Sequence, residues 1–384
     1  MEFLLELLVL LLFAKVFGEL LHRHGFSALI AEVLVGIALG PALLEWFKPD
    51  EYIWAVAMLG LVVLMLVTGM NSRFDLFMKV KFKALAIALC GMTVSFALGF
   101  TVPYVWGYPL IACLFVAAAL SNTATEVVAR VAERSRFSQL LVSAALIDDI
   151  LAVYILGILS AAAIREILDL SVFFWATLGV IVFFFLVGYL SHKLMVERDI
   201  MRKLWRFERR GVPLTFALSL ALALAVIAQR VGLHAIIGAY MAGLFIGRLR
   251  ERPDALLLSR IRLNAMLEDV TTSLQSILTP MFFVYVGLTF APQWGEIKFV
   301  MLLVLLIAAF AGKIIGCGLG AAAVGYKRKD SLAIGTAMCS RGSLEVAVLL
   351  FGLEAGVVPP DLFSMMVMVT LSTTLLTPLF FRRA

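Results

Sequence analysis

The chain has 384 residues, of which 63% are hydrophobic and only 15% charged, and its mean hydropathy is +1.04. Soluble domains run at about 45–50% apolar and about 25% charged, so a soluble globular class is excluded, and a disordered chain with it. The net charge of +6 is not a nucleic-acid footprint, because the basic residues lie between apolar runs rather than along one face.

A helix needs about 20 apolar residues to cross a bilayer. Taken in chain order, thirteen stretches qualify: 2–21, 28–46, 53–70, 84–103, 109–129, 138–162, 172–191, 213–229, 233–247, 271–290, 299–325, 331–353 and 361–381. The first opens at Met1-Glu2 with no basic leader and reads as a retained helix. Gly40-Pro41 and Pro359-Pro360 mark breaks, since proline cannot extend a hydrogen-bonded helix. The remaining loops leave no room for a soluble domain of about 100 residues. Cys90, Cys113, Cys317 and Cys339 fall inside apolar runs, in no metal-ligand spacing, and read as small packing residues. The expected class is an all-α polytopic membrane protein.

Loop charges test the count. With the two sides numbered alternately, one side receives 25 basic residues, including seven between Lys193 and Arg210, and the other receives only Lys48, Arg165, Arg230 and Lys298. A missed span would scramble that split. The basic side is cytoplasmic, so the N-terminus is expected outside and the C-terminus inside.

Arg23-His24-Gly25-Phe26-Ser27-Ala28-Leu29-Ile30 matches Arg230-Val231-Gly232-Leu233-His234-Ala235-Ile236-Ile237 at an offset of 207, which also brings Gly36 onto Gly243 and Gly40 onto Gly247. Near an offset of 218, Val67-Thr68-Gly69-Met70 meets Tyr285-Val286-Gly287-Leu288. The repeat distance is seven spans, an odd number, so the two copies cross in opposite directions. Inverted repeats characterise alternating-access transporters. The simplest partition is six spans, one linker span and six more: 1–170, 171–211 and 212–384, with spans 4–6 and 11–13 forming a core bundle.

A charged side chain at a helix centre costs about 2.5–3.5 kcal/mol on the insertion scale, yet such residues cluster here. The sixth span carries Asp148-Asp149, the eleventh Lys313, the fifth Ser121-Asn122-Thr123-Ala124-Thr125-Glu126, and the twelfth Ser340-Arg341-Gly342-Ser343-Leu344-Glu345. Neighbours on a helix point about 100° apart, so the two aspartates cannot both face one cation. One is expected to face a water-filled cavity and the other a partner, for which Lys313 is the obvious candidate. A purely stabilising ion pair would leave the second aspartate uncompensated. Five of the six residues 121–126 are polar, which weakens a helix. At the offset of 218, Thr123 and Thr125 fall opposite Arg341 and Ser343. Matched polar interruptions in the two halves point to a transport site. The chemistry itself is not repeated, since Met366 and Val367 stand opposite the aspartates. Lys15 and Glu32 read as structural, and His234 as interfacial. No metalloenzyme spacing and no Walker-type loop occurs.

At Leu146-Ile147-Asp148-Asp149-Ile150-Leu151 the chain resembles the monovalent cation:proton antiporter-2 family, bacterial and archaeal sodium/proton antiporters. The resemblance runs nearly end to end, through Ala31–Gly36, Gly40-Pro41, Thr123-Ala124-Thr125, Pro280-Met281-Phe282-Phe283, Gly312-Lys313 and Arg341-Gly342. It implies about thirteen helices in a 6+1+6 inverted repeat, with two crossed, unwound helices (here spans 5 and 12), a core bundle and a dimerisation bundle. It further implies a homodimer, Asp149 as main ligand for Na+ (or Li+) with Asp148 beside it, an Asp148–Lys313 pair, and electrogenic exchange without a cofactor. Ser121, Asn122, Glu126, Arg341, Ser343 and Glu345 are accessory candidates. This chain departs from its relatives at Glu126, where they carry a small residue, and at Glu345, which is displaced from their Arg-Gly-Glu spacing. The chain also ends at Ala384, without the cytoplasmic nucleotide-binding domain of the glutathione-gated potassium systems.

Burial disfavours a charged carboxylate and a nearby ammonium favours it. An aspartate balanced between the two can bind H+ or Na+, and competition for one site couples the fluxes. With the electrogenic exchange that the resemblance implies, the expected function is electrogenic Na+/H+ antiport in the cell membrane, with no enzymatic activity. A potassium/proton antiporter is the nearest alternative and a passive cation channel a further one, although a channel would not need Lys313. Bile-acid-type symporters would need a roomier pocket, and an intramembrane aspartyl protease would need its aspartates on separate helices.

Overall fold

The computed structural model describes residues 2–24, 26–71, 74–132, 135–165, 212–231, 233–250, 257–292 and 298–381, with isolated residues between 174 and 193; for residues 2, 74–81, 126, 130, 164–165, 212–214, 248–250, 257–272, 379 and 381 it describes the backbone alone. Among the described residues the secondary structure is α-helical. The helices are α1 (Glu2–Arg23), α2 (Ala28–Leu39), α3 (Glu51–Asn71), α4 (Phe74–Val105), α5 (Leu110–Ser121), α6 (Thr125–Ala132) and α7 (Ser138–Arg165), then α8 (Val212–Arg230), α9 (Ala235–Arg250), α10 (Leu257–Thr289), α11 (Phe299–Ala323), α12 (Arg328–Ala337), α13 (Ser343–Glu354) and α14 (Pro360–Phe381). Glu51–Asn71, Phe82–Val105, Ser138–Ala163, Phe299–Ala323 and Pro360–Pro378 are each long and apolar enough to cross a membrane, and Ala28–Leu39, Leu110–Ser121, Thr215–Arg230, Ala235–Gly247 and Ser273–Thr289 are shorter apolar helical stretches among the described residues.

Three differences from the thirteen stretches have physical causes. The second stretch, read as 28–46, is helical only to Leu39, because Gly40 caps the helix with extended backbone and Pro41 cannot continue it. The fifth and twelfth stretches are each two half-helices, α5 with α6 and α12 with α13. Their breaks fall on Asn122-Thr123-Ala124 and on Met338 to Gly342, where side chains and glycine compete with helical hydrogen bonding. The fourth and tenth stretches extend beyond their apolar cores, into α4 and α10. Most of the seventh stretch, 172–191, lies outside the described residues.

The chain forms two compact units. The first comprises residues 1–53, 75–159 and 283–384, and the second 54–74 and 160–282. In the first, a buried cluster joins Ile87 of α4, Val128 of α6, Leu141 and Ala145 of α7, Cys317 of α11 and Ile334 of α12. Cys113, Cys317 and Cys339 are buried and Cys90 half-buried, all as free thiols.

One helix contact is built once in each unit. In the first, Gly36 of α2 lies on Val284 and Gly287 of α10, where an added Cβ would meet Gly287 Cα at 2.8 Å. In the second, Gly243 of α9 lies on Leu66 and Gly69 of α3, and an added Cβ would meet Gly69 Cα at 2.8 Å. Gly36 and Gly243 correspond at the offset of 207, and Gly69 and Gly287 at 218.

The ends of α4 and α11 match as well. Gly107 (φ 83°) and Gly325 (φ 92°) take the left-handed conformation that glycine adopts without a Cβ clash. The Tyr108 N–H then donates to Pro103 O, and the Tyr326 N–H to Ala321 O, each at 3.1 Å. Lys298 Nζ lies 5.2 Å from the Tyr108 ring centroid, and Lys83 Nζ lies 5.3 Å from that of Tyr326. Gly107-Tyr108 and Gly325-Tyr326 correspond at the offset of 218.

Candidate ion-binding site

Both breaks belong to the first unit, and they touch. The Ala124 N–H donates to Ser340 O at 2.9 Å. A Cβ on Gly342 would meet Ala124 Cβ at 2.7 Å, so only glycine allows this approach. Ala124 and Gly342 are themselves partners at the offset of 218, so the two interruptions meet at equivalent residues.

A helix end leaves its last carbonyls without intrahelical donors. Arg341 supplies donors from the opposite break. One guanidinium nitrogen donates to Leu120 O and, at 2.7 Å, to Asn122 O, while the other donates to Ala309 O at 2.9 Å. The side chain is fully buried. A cation at a helix C-terminus also complements the negative end of its dipole. Arg341 thus satisfies the end of α5 and ties it to α11. Its own carbonyl accepts from Thr374 of α14 at 2.7 Å.

α7 passes beside the breaks and carries Asp148 and Asp149, 0% and 3% exposed. The two turn to different partners, as the angle between adjacent helical residues requires. Lys313 Nζ of α11 lies 2.6 Å from Asp148 Oδ2, and the same oxygen accepts from Thr123 Oγ1 at 2.6 Å. Asp149 Oδ2 accepts from Thr125 Oγ1 at 2.7 Å. The break therefore presents one hydroxyl to each aspartate. Lys313 is fully buried, so its pairing with Asp148 is a buried ion pair.

The accessory candidates separate. Ser121 Oγ turns back to Ala118 O at 2.8 Å, within its own helix. Asn122 has its side-chain Oδ1 buried and without a hydrogen-bond partner among the described residues. Ser343 opens α13 half-buried. Glu345, in the first turn of α13, is fully buried and its Oε1 accepts from Thr370 Oγ1 at 2.9 Å. The Glu126 side chain lies outside the described residues.

Sequence reasoning placed α14 as a span, 361–381, but missed the part its threonines play. Thr370, Thr373, Thr374 and Thr377 are all buried. Two of them hold the second break, through Glu345 and the Arg341 carbonyl. Their spacing of three and four residues, which places them on one helix face, was the available signal.

Two acids and a lysine buried beside paired helix breaks are the equipment of a secondary transporter, and the class they define is that of the monovalent cation:proton antiporters. The chain belongs to the family described as sodium/hydrogen exchanger, transmembrane, whose model matches residues 8–382. It is 27% identical over 384 residues to the Na(+)/H(+)-K(+) antiporter GerN of Bacillus cereus, covering 98% of this chain and 95% of that one. To the Na(+)/H(+) antiporter of Enterococcus hirae it is 24% identical, covering 99% and 97%. The fold is similar to that of the sodium proton antiporter MjNhaP1 from Methanocaldococcus jannaschii, with a TM-score of 0.71 at 14% identity, covering 100% of this chain and 97% of that one. The chain is thus a membrane antiporter, not an enzyme.

Proposed function

We propose that this chain exports Na+ (or Li+) in electrogenic exchange for H+ across the cell membrane, by alternating access, with Asp149 as the main ligand of both ions. The observation that carries this reading is the division between the aspartates. Asp148 has a lysine at 2.6 Å, while the next residue, Asp149, receives the Thr125 hydroxyl. Among the described side chains, three acids (Asp148, Asp149, Glu345) and two bases (Lys313, Arg341) are buried around the breaks. Fully ionised, these groups sum to one negative charge. A proton and Na+ compete for Asp149, and only an occupied or neutralised site reorients; the further proton given up by Lys313 when Na+ binds makes the exchange electrogenic.

The remaining assignments belong to the same reading. Asp148 flanks the ion, Thr123 and Thr125 orient the carboxylates, and Lys313 releases a proton when Na+ breaks its pair with Asp148. The interrupted helices cross within a core bundle of spans 4–6 and 11–13, inside a 6+1+6 inverted repeat. The doubled glycine contact and the doubled Gly-Tyr cap support that repeat. The functional particle is a homodimer with the N-terminus outside.

Asp149→Asn tests the ligand. In proteoliposomes with a pH-sensitive dye, the variant should show no sodium-driven proton movement, and wild-type movement would remove Asp149 from this role. Potassium/proton exchange is the second reading, favoured by the relative named as a Na(+)/H(+)-K(+) antiporter. A cation series with dye and voltage readout separates the two.

A further inference from the structure

We propose that the first unit holds one phospholipid, with an acyl chain in a cavity between α11 and α14 and the phosphate at Lys298. The cavity measures about 420 Å3, within the range of about 300–1,000 Å3 that suits bound ligands. Phe299, Leu303 and Leu306 of α11 line it, with Met368, Leu371 and Ser372 of α14. Ser372 brings the one hydroxyl among the described lining residues, and it already donates to Met368 O at 2.7 Å. Ordered water needs about two to four polar partners, so the occupant is apolar. Phe299 and Leu303 are 65% and 58% exposed, so the cavity opens on a face that lipid covers.

Length and a charged end fix what kind of apolar occupant fits. Tyr108 brings the starts of both helices together. Lys298, the residue before α11, has its Nζ 5.2 Å from the Tyr108 ring centroid, and the Tyr108 hydroxyl donates to Asp361 in the first turn of α14. Tyrosine and lysine of this kind mark a membrane–water boundary. From that boundary α11 runs about 10 Å to Leu306 and α14 about 18 Å to Ser372. Half the hydrocarbon core of a bilayer is about 15 Å. The cavity therefore spans the depth of one leaflet, which is the reach of an acyl chain. Lys298 is exposed at its mouth, where an ammonium attracts lipid phosphate. Asp361, the acid at the same end, is taken up by Tyr108.

The chain braces the helix that holds the second break. Met368, Leu371 and Ser372 share two turns of α14 with Thr370 and Thr374, which hold Glu345 and the Arg341 carbonyl. Without an occupant, that side of α14 lacks atoms to pack against. Removing the lipid should therefore loosen the break and slow exchange. Only this last consequence rests on the antiport reading above.

The test uses the full chain in nanodiscs. The probe is a phosphatidylglycerol with a photoactivatable diazirine midway along one acyl chain, and labelled residues are mapped by mass spectrometry. Label should concentrate on Leu303, Leu306, Met368 and Leu371, several-fold above Leu8 and Leu12, which are exposed on α1. Equal labelling of α1 means ordinary bilayer contact and overturns the proposal. Lys298→Gln changes an exposed residue and should cut the label about fivefold, the factor for one lysine near anionic lipid. A diacylglycerol carrying the same diazirine but no phosphate should label wild type and Lys298→Gln alike. Undiminished phosphatidylglycerol labelling in Lys298→Gln overturns the proposal. Leu371→Trp fills the cavity and should abolish the label there while leaving that on α1; persistent label overturns it too. Leu303→Cys should form no cross-link between copies, since a cross-link would put a second chain on this face in place of lipid. In detergent, added phosphatidylglycerol should raise the thermal midpoint of the wild type at about fivefold lower concentration than that of Lys298→Gln. If the wild type moves no protons under a sodium gradient, the antiport reading falls, while the labelling pattern still decides the lipid site.

Discussion

Lys313→Gln isolates the energetic centre of the site. The Lys313 ammonium lies 2.6 Å from Asp148 Oδ2, and both side chains are 0% exposed. Without it, Asp148 keeps the Thr123 hydroxyl on Oδ2, and Oδ1 has no partner among the described residues. Removing one member of a buried pair costs about 3–5 kcal/mol, because the other charge stays buried. The glutamine amide returns a neutral hydrogen bond of about 0.5–1.5 kcal/mol, so the expected loss is roughly 2–4 kcal/mol. At about 2–4 °C per kcal/mol for a large domain, the midpoint should fall by about 4–16 °C in thermal unfolding followed by fluorescence-detected gel filtration. Asp148→Asn/Lys313→Gln removes both charges and should recover most of that loss, because a neutral pair leaves nothing uncompensated. If the double variant falls by the sum of the two single losses, the groups are uncoupled and the argument fails. Transport is a separate readout: if Lys313 carries a proton, the ratio of current to flux changes in Lys313→Gln.

Arg341→Lys keeps the charge but not the fork. One ammonium cannot reach Leu120 O, Asn122 O and Ala309 O together, and charged hydrogen bonds are worth about 1.5–3 kcal/mol each. The variant should therefore unfold several degrees lower and exchange more slowly; an unchanged midpoint would show that the carbonyl contacts carry no weight. Gly36→Ala and Gly243→Ala each force a methyl onto backbone at a helix contact. Overpacking of this kind costs about 1–3 kcal/mol, and similar midpoint losses are expected from both. A loss at one and none at the other would deny that the two contacts are equivalent.

Much of this was legible in the sequence, for reasons tied to particular residues. Span positions follow from apolar length, and the buried charges stand out because each is costly in lipid. The helix breaks could be read because Ser121 to Thr125 and Ser340 to Ser343 put short polar side chains where a span needs apolar ones. The early end of α2 was harder. Ala42, Leu43, Leu44 and Trp46 continue the apolar run past Pro41, and hydropathy registers their character but not the missing N–H. The role of Arg341 was out of reach, because its partners are backbone carbonyls and carbonyls have no sequence signature. Beyond their shared face, Thr370 and Thr374 carry no distinguishing signal in the sequence, since threonine in a membrane helix often bonds the carbonyl four residues back. Thr374 does so here to Thr370 O at 2.7 Å, while also reaching Arg341 O.

The frame of the first unit is doubled and its chemistry is not. Tyr108 and Tyr326 cap matching helix ends, each with a lysine near its ring, and Ala124 meets Gly342 across the two breaks. Opposite Asp148 and Asp149, however, stand Met366 and Val367, both buried. Copying the aspartates would place four acids in one low-dielectric region, and each unpaired one would cost several kcal/mol. Glycines, caps and helix breaks cost little to duplicate, because backbone satisfied on one side can be satisfied alike on the other. Charge does not duplicate so cheaply, since every added acid needs its own cation. The buried charges are divided between the two halves of the chain: α7 supplies Asp148 and Asp149, and the later half supplies Lys313 on α11, Arg341 in the second break and Glu345 on α13. Lys313 thus compensates an aspartate that the other half of the chain carries.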